Sequence, residues 1–139
     1  MPKKICVVDG QGGGIGSVII KKLKEVYGES VEIIALGTNA IATAQMLKAK
    51  ANRGASGENA IMRTIATADL IAGSLSIVLA HGMMGEVTPA MAAAVAASVA
   101  PKVLLPLNQE QVTVAGASAM PLPHLVDEMV ELHIRRHVG

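Results

Sequence analysis

The sequence predicts a three-layer α/β domain built on a mostly parallel sheet of about five strands, and three observations lead there. Short apolar runs alternate with segments of helical periodicity along most of the chain. The first run, Lys4-Ile5-Cys6-Val7-Val8, is apolar on both faces, with Ile5 and Val7 on one and Cys6 and Val8 on the other, as in a parallel strand covered by helices on each side. That run empties into Asp9-Gly10-Gln11-Gly12-Gly13-Gly14-Ile15-Gly16-Ser17, where five glycines precede a helix-like pattern. The glycines let the backbone come close to a ligand, and the helix opening near Ile15 offers free N–H groups and a positive dipole end to an anion. At 139 residues the chain is long enough to bury a core and fits a single domain, 1–139.

In chain order, Ile15, Val18, Ile19, Leu23, Val26 and Tyr27 recur at helical spacing, with Lys21, Lys22, Lys24 and Glu25 on a solvated face, and Gly28 ends this first helix. Val31 to Gly37 reads as the second strand, which completes a βαβ unit. Thr38 or Asn39 caps a second helix running to about Lys50, with Ile41, Met46 and Leu47 inward. Ala51 to Asn59 is polar and punctuated by glycine, a loop by its composition, and another helix runs from near Gly57 to near Ala68. Asp69 to Gly73 is the third strand. Ser74 to Val87 fits either a further strand or a short helix. Thr88 as cap and Pro89 at the first helical position start an Ala- and Met-rich helix that stops before Pro101. Lys102 to Leu107 and Val112 to Gly116 read as the last two strands. Only Asn108 to Gln111 separate them, too few residues for a parallel crossover, so they should form an antiparallel hairpin at the C-terminal edge of the sheet. A closing amphipathic helix carries Leu125, Val126, Met129, Val130 and Ile134 on or near one face.

Composition narrows the partners. The net charge is +1, there is one Tyr and no Phe or Trp, and no basic stripe runs along any element, so nucleic acid is not an expected partner. The single Cys6 excludes a disulfide within the chain and fits a reducing cytoplasm, as a small buried hydrophobe rather than a reactive thiol. The charged start, Met1 to Lys4, is followed by an apolar run that ends at Asp9, too short for a signal peptide. Leu70 to Ala100 carries only one charge, Glu86, yet Gly73, His81, Gly82, Gly85 and Pro89 interrupt it, which disfavours a bilayer span. Hydrophobic content of 51% and a mean hydropathy of +0.47 are high for so short a soluble chain, and lead us to expect a homo-oligomer.

Sites in sheets of this kind lie beyond the carboxyl ends of the strands, where strand order reverses. That gathers the loop from Asp9 through Gly10, Gln11, Gly12, Gly13, Gly14, Ile15 and Gly16 with Thr38, Asn39, Gly73, Ser74 and Asn108 on one edge as candidate ligand-binding residues. Arg53, in the polar loop with Glu58 and Asn59, is a candidate phosphate clamp that can fold over this edge; the plainer reading is a solvated loop. Asp9 can orient a loop amide, hold a metal or bind a ligand hydroxyl, or simply accept a turn N–H. Glu86 is either a buried acid near the pocket or an exposed turn residue before the Thr88 cap. His81 suits a structural histidine better than a general base. His133 and His137 stand at metal-ligand spacing without a third ligand, and a helix C-terminus favours such residues through its dipole, so no metal is expected.

The spacing Gly10-x-x-x-Gly14-x-Gly16 resembles the glycine pattern of the short-chain dehydrogenases and reductases, with Asp9 where that family usually has Thr. The Tyr-x-x-x-Lys motif of that family is absent, because the only tyrosine, Tyr27, is followed four residues later by Val31. Gly37-Thr38-Asn39 at the end of the second strand lacks the acid that reads an adenosine ribose, and Ser17 stands after Gly16 where a P-loop needs lysine. Four blocks together, Val-Val-Asp-Gly-Gln-Gly-Gly-Gly-Ile-Gly (7–16), Ile-Ile-Ala-Leu-Gly-Thr-Asn-Ala (33–40), Gly-Ala-Ser-Gly-Glu-Asn-Ala-Ile (54–61) and Met-Gly-Glu-Val-Thr-Pro-Ala-Met-Ala (84–92), resemble a bacterial family of small proteins, domain of unknown function 3842. The resemblance spans nearly the whole chain and implies a stand-alone Rossmann-like protein, with no catalytic residues to carry over. The expected function is therefore binding of a nucleotide, dinucleotide or other phosphate-bearing small molecule through the glycine loop. The alternatives are a small enzyme using Asp9, Glu86 or His81 as acid or base, and an oligomeric interaction module without a ligand.

Overall fold

In the computed structural model, which describes residues 1–117 and 119–139, β1 (Lys3–Asp9) is the central strand of a five-stranded sheet. Its sequence dictates that position. Ile5, Cys6 and Val7 have no exposed surface and Val8 almost none, and each aliphatic side chain so buried contributes about 1.5–3 kcal/mol. The chain continues through α1 (Gly14–Tyr27), β2 (Val31–Gly37), α2 (Ala40–Lys48), β3 (Arg53–Ser56), α3 (Glu58–Ile65), β4 (Leu70–Ser74), α4 (Pro89–Ala97), β5 (Lys102–Leu105) and α5 (Leu122–Glu128). A π-helical stretch (Met129–Ile134) and a last turn, α6 (Arg135–Val138), extend α5.

The strand order is β3-β2-β1-β4-β5, and every pairing is parallel. Strand order runs outward from β1 through β2 to β3, then α3 carries the chain back across to β4, so the direction reverses between β1 and β4. Right-handed crossovers then place α1 and α2 on one face and α3 and α4 on the other. The two cores follow this division. Ile5 and Val7 pack with Ile19, Leu23, Met46 and the last helix, while Cys6 and Val8 pack with Ile61, Ile65, Met91 and Val95. On the first face, Leu125, Val126, Met129, Val130 and Ile134 are all buried, as their spacing predicts, and Lys22 of α1 bridges to Asp127 (3.2 Å) and Glu131 (3.6 Å) instead of standing free in solvent.

Several expectations are corrected. The antiparallel hairpin does not exist: residues 106–117 contain no strand, and the sheet is wholly parallel. Asn108 is the physical reason. Its Oδ1 accepts from the Glu110 and Val112 N–H groups (3.1 and 3.0 Å) and its Nδ2 donates to the Val112 carbonyl (2.8 Å), so a local turn takes both backbone groups of the residue that would open the second strand. The fifth strand is instead β3, inside the stretch read as a loop. It is a short edge strand with one partner, and its Gly54 lets Thr43 and Leu47 of α2 approach, which is why its sequence carries no apolar run. In α2 only Met46 of the three expected core residues is buried; Ala42 and Thr43 complete the inward stripe, while Ile41 (68% exposed) and Leu47 (41%) lie outside it. Ser74 to Val87 holds a 3₁₀ turn (Leu75–Val78) followed by irregular turns. Among the described residues no helix is long and apolar enough to cross a membrane.

Candidate functional site

Asp9, the last residue of β1, is buried, and its carboxylate is spent on the glycine loop itself. Oδ1 accepts from the Gly10 N–H (2.8 Å) and Oδ2 from the Gly16 N–H (2.7 Å), which clips the two ends of the loop together at the start of α1. Burial pushes this carboxyl above the usual carboxylate range, while the two N–H bonds pull it back. Within the clip, the Gly13 N–H donates to the Gly10 carbonyl (2.9 Å), and the Ser17 N–H and hydroxyl both donate to the Gly13 carbonyl (2.9 and 2.7 Å).

The five glycines divide into two groups. Gly13 has φ +73°, and a Cβ there would stand 2.7 Å from the Ala42 carbonyl oxygen; at Gly10 a Cβ would meet Thr38 Oγ1 (2.6 Å) and Met83 Sδ (2.7 Å), and at Gly16 the Met46 Sδ (2.5 Å). The fold requires these three. Gly12 and Gly14 are different: neither has a positive φ, both are exposed, and a Cβ on either would touch nothing within 4 Å. Among the described residues no protein acceptor meets the N–H groups of Gly12, Gly14 or Ile15, all at the opening of α1.

Glu86 reaches the loop from the crossover between β4 and α4. Its Oε1 accepts from Thr38 Oγ1 (2.6 Å), the Gln11 N–H (2.8 Å) and Asn39 Nδ2 (2.9 Å). The Thr38 hydroxyl, then the Gln11 N–H, hold this carboxyl below the usual carboxylate range against the opposing effect of partial burial, with Asn39 adding to the lowering. Asn39 is also the cap of α2, its Oδ1 accepting from the Ala42 N–H at 2.8 Å, and its Nδ2 donates a second bond to the Gln11 carbonyl (3.1 Å). The turn that delivers Glu86 is strained. His81, Met83 and Met84 have φ of 65°, 56° and 57° and Gly85 follows at 92°; left-handed backbone at a non-glycine residue costs about 1–3 kcal/mol. The turn is held by the His81 N–H on the Val87 carbonyl (2.7 Å), the Val87 N–H on the Gly82 carbonyl (3.0 Å) and the buried Met83 side chain.

Beside the loop, at the point where strand order reverses, lies a cavity of about 160 Å³ between Asp9, Gln11 and Ile15 on one side and Ser74, Ser76 and Asn108 on the other. It is smaller than the roughly 300–1,000 Å³ of a site that encloses a drug-sized ligand, so it suits a small group. Gln109 Nε2 donates to Gln11 Oε1 across it (3.1 Å), and Ser76 Oγ donates to Glu110 Oε1 (2.7 Å).

The structure thus brings together Asp9, Gly10, Gln11, Gly12, Gly13, Gly14, Ile15, Gly16, Thr38, Asn39, Ser74 and Asn108. Gly73 lies inside β4, where a Cβ would stand 2.7 Å from the Val8 carbonyl, so close strand packing accounts for it. Arg53 opens β3 opposite Ile34, three residues short of the end of β2, and pairs with Glu32 (3.2 Å) away from the loop. Glu58 accepts from the Thr88 hydroxyl. His81 is exposed and does not line the cavity. Cys6 is fully buried, and desolvation pushes its thiol up to about 12. Ser76 and Gln109 carry no sequence signal. Glu86 does carry one, as the lone charge in a long apolar stretch, but its partners stand 47 to 75 residues away in the chain.

Among curated proteins none matches this chain. Residues 4–138 match the family described as Domain of unknown function (DUF3842), and the chain belongs to that family.

Proposed function

We propose that the protein binds a phosphate-bearing small molecule, a nucleotide or a phosphorylated metabolite, with its phosphate on the Gly12, Gly14 and Ile15 N–H groups. The observation that supports this reading is the division of the glycines. Gly10, Gly13 and Gly16 are needed by the fold, whereas Gly12 and Gly14 have room and ordinary backbone for a side chain. Glycine at those two positions serves something that approaches from outside, and the free donors there suit an anion. The small cavity beside Asp9 then takes a compact portion of the ligand, and the remainder lies along the open edge above α1. Binding alone accounts for the side chains: the Asp9 carboxylate and Glu86 Oε1 are engaged with loop donors. The test is a thermal-stability panel of nucleotides, dinucleotides and sugar phosphates. At about 100 times its dissociation constant a ligand adds about 2.7 kcal/mol. A panel without any shift refutes the proposal.

A further inference from the structure

The end of β2 carries no acid in sequence, yet a carboxylate stands there in space. Glu86, supplied by the crossover after β4, lies within hydrogen-bond distance of both Thr38 and Asn39, the two residues that follow β2. In nucleotide-binding sheets of this topology, an acid beside the end of the second strand accepts the ribose hydroxyls. Glu86 is built for an acceptor's role. All three of its protein donors converge on Oε1, which fixes the plane of the carboxylate, and Oε2 receives none among the described residues. The side chain is only partly buried. An ionised carboxylate accepts and cannot donate, and a vicinal diol presents two O–H donors to it. We infer that Glu86 reads the ribose 2′,3′-diol of a ribonucleotide whose phosphate sits on the glycine loop.

The position of Glu86 along the loop fits this assignment. It is hydrogen-bonded to the Gln11 N–H, immediately before Gly12, so diol and phosphate would lie on neighbouring parts of one loop, as the ribose and 5′-phosphate of one nucleotide require. Gly10 serves the same end, because a Cβ there would stand 3.0 Å from Glu86 Oε1. The strained backbone at His81, Met83 and Met84 is what delivers the carboxylate to this point; strain of this kind collects where a side chain must be held for a ligand. A sugar phosphate without a free vicinal diol satisfies only half of the site, and a 2′-phosphate sets like charge against Glu86.

The inference rests on the phosphate reading above, and the experiment separates the two. Adenosine, guanosine, cytidine and uridine 5′-diphosphates are titrated by calorimetry beside their 2′,3′-dideoxy counterparts, with NAD and NADP as a second pair. Charge-assisted hydrogen bonds predict that loss of the diol weakens binding by roughly 10- to 100-fold, and that NAD binds more tightly than NADP. Glu86→Gln keeps an oxygen for Thr38, Gln11 and Asn39, so the loop remains held. The ratio of ribonucleotide to dideoxynucleotide affinity should fall toward one in this variant, with far-ultraviolet circular dichroism reporting the fold. Equal affinity of the ribo and dideoxy forms for the wild type overturns the assignment of Glu86 while the phosphate reading stands. Absence of binding by every phosphate-bearing compound overturns both.

Discussion

Gly14→Val is the most informative single change, because the open space at Gly14 predicts an unchanged fold while the proposed phosphate seat predicts lost binding. Gly14 is the first residue of α1, has no positive φ, and would carry a Cβ into open space. The unliganded variant should therefore be as stable as the parent, and Gly14→Ala should gain about 0.4–1 kcal/mol, since the unfolded chain loses conformational freedom that glycine allows it. In the proposed complex a phosphate occupies the space in front of that same N–H. A branched side chain there displaces it from donors that contribute about 1.5–3 kcal/mol each when charge-assisted, so the loss of two such bonds weakens binding by about 100-fold or more. For a chain of this length, a ligand at about 100 times its dissociation constant should raise the melting temperature by roughly 9 °C. At the same concentration the Gly14→Val protein should show a shift of only about 1–2 °C. Differential scanning fluorimetry of both proteins, with and without ligand, measures all four temperatures. A full shift retained by the variant would place the ligand elsewhere, and a large loss of stability without ligand would contradict the open space in front of Gly14.

Three further outcomes follow from the same geometry. Gly13→Ala should destabilise the fold by at least about 1 kcal/mol in urea, because φ +73° disfavours a side chain and the new Cβ meets the Ala42 carbonyl oxygen; a neutral result would refute the described turn. Glu86 has its folded pKa below the unfolded value, so it contributes stability above about pH 4.5 that is lost as pH falls through its folded pKa. Asp9 has its pKa raised, so its contribution is present in acid and fades as pH rises through its folded pKa. Urea midpoints from pH 3 to 7 should accordingly slope less in Glu86→Gln than in the wild type, and an identical slope would count against the three hydrogen bonds. Cys6, pushed up to about 12, should resist thiol reagents in the native state and react on unfolding. Because the unfolded thiol ionises near pH 9 and the folded one does not, stability should fall from pH 9 upward, by up to about 4 kcal/mol, and Cys6→Ala should remove that part of the alkaline slope.

The elements legible in the sequence are those whose burial pattern is local. β1 shows both apolar faces in four residues, the Thr88 cap and Pro89 mark the start of α4, with Thr88 Oγ1 accepting from the Met91 N–H at 3.1 Å, and the last helix displays its buried stripe in full. What was not legible depends on contacts distant in sequence. β3 is an edge strand that needs only β2 and a glycine beneath α2, so it has no pattern of its own. Val112 to Val114 has strong β-propensity, but Asn108 takes the Val112 N–H and carbonyl first. The glycine loop was readable as a candidate anion seat. The clip by Asp9 and the presence of Glu86 beside Thr38 and Asn39 were not, since the acid at the end of β2 comes from a different crossover and no spacing rule joins residues 38 and 86.

The Asp9 clip bears on how fast a ligand arrives and leaves. One buried carboxylate ties Gly10 to Gly16, so the loop between them has its shape before anything binds. A receptor already in its bound form surrenders little backbone freedom on complexation, and encounter needs no slow rearrangement. Association should be a single step, with a rate constant that varies far less among fitting ligands than their affinities do. Selectivity among those ligands would then be expressed in residence time, in how long each one stays once seated.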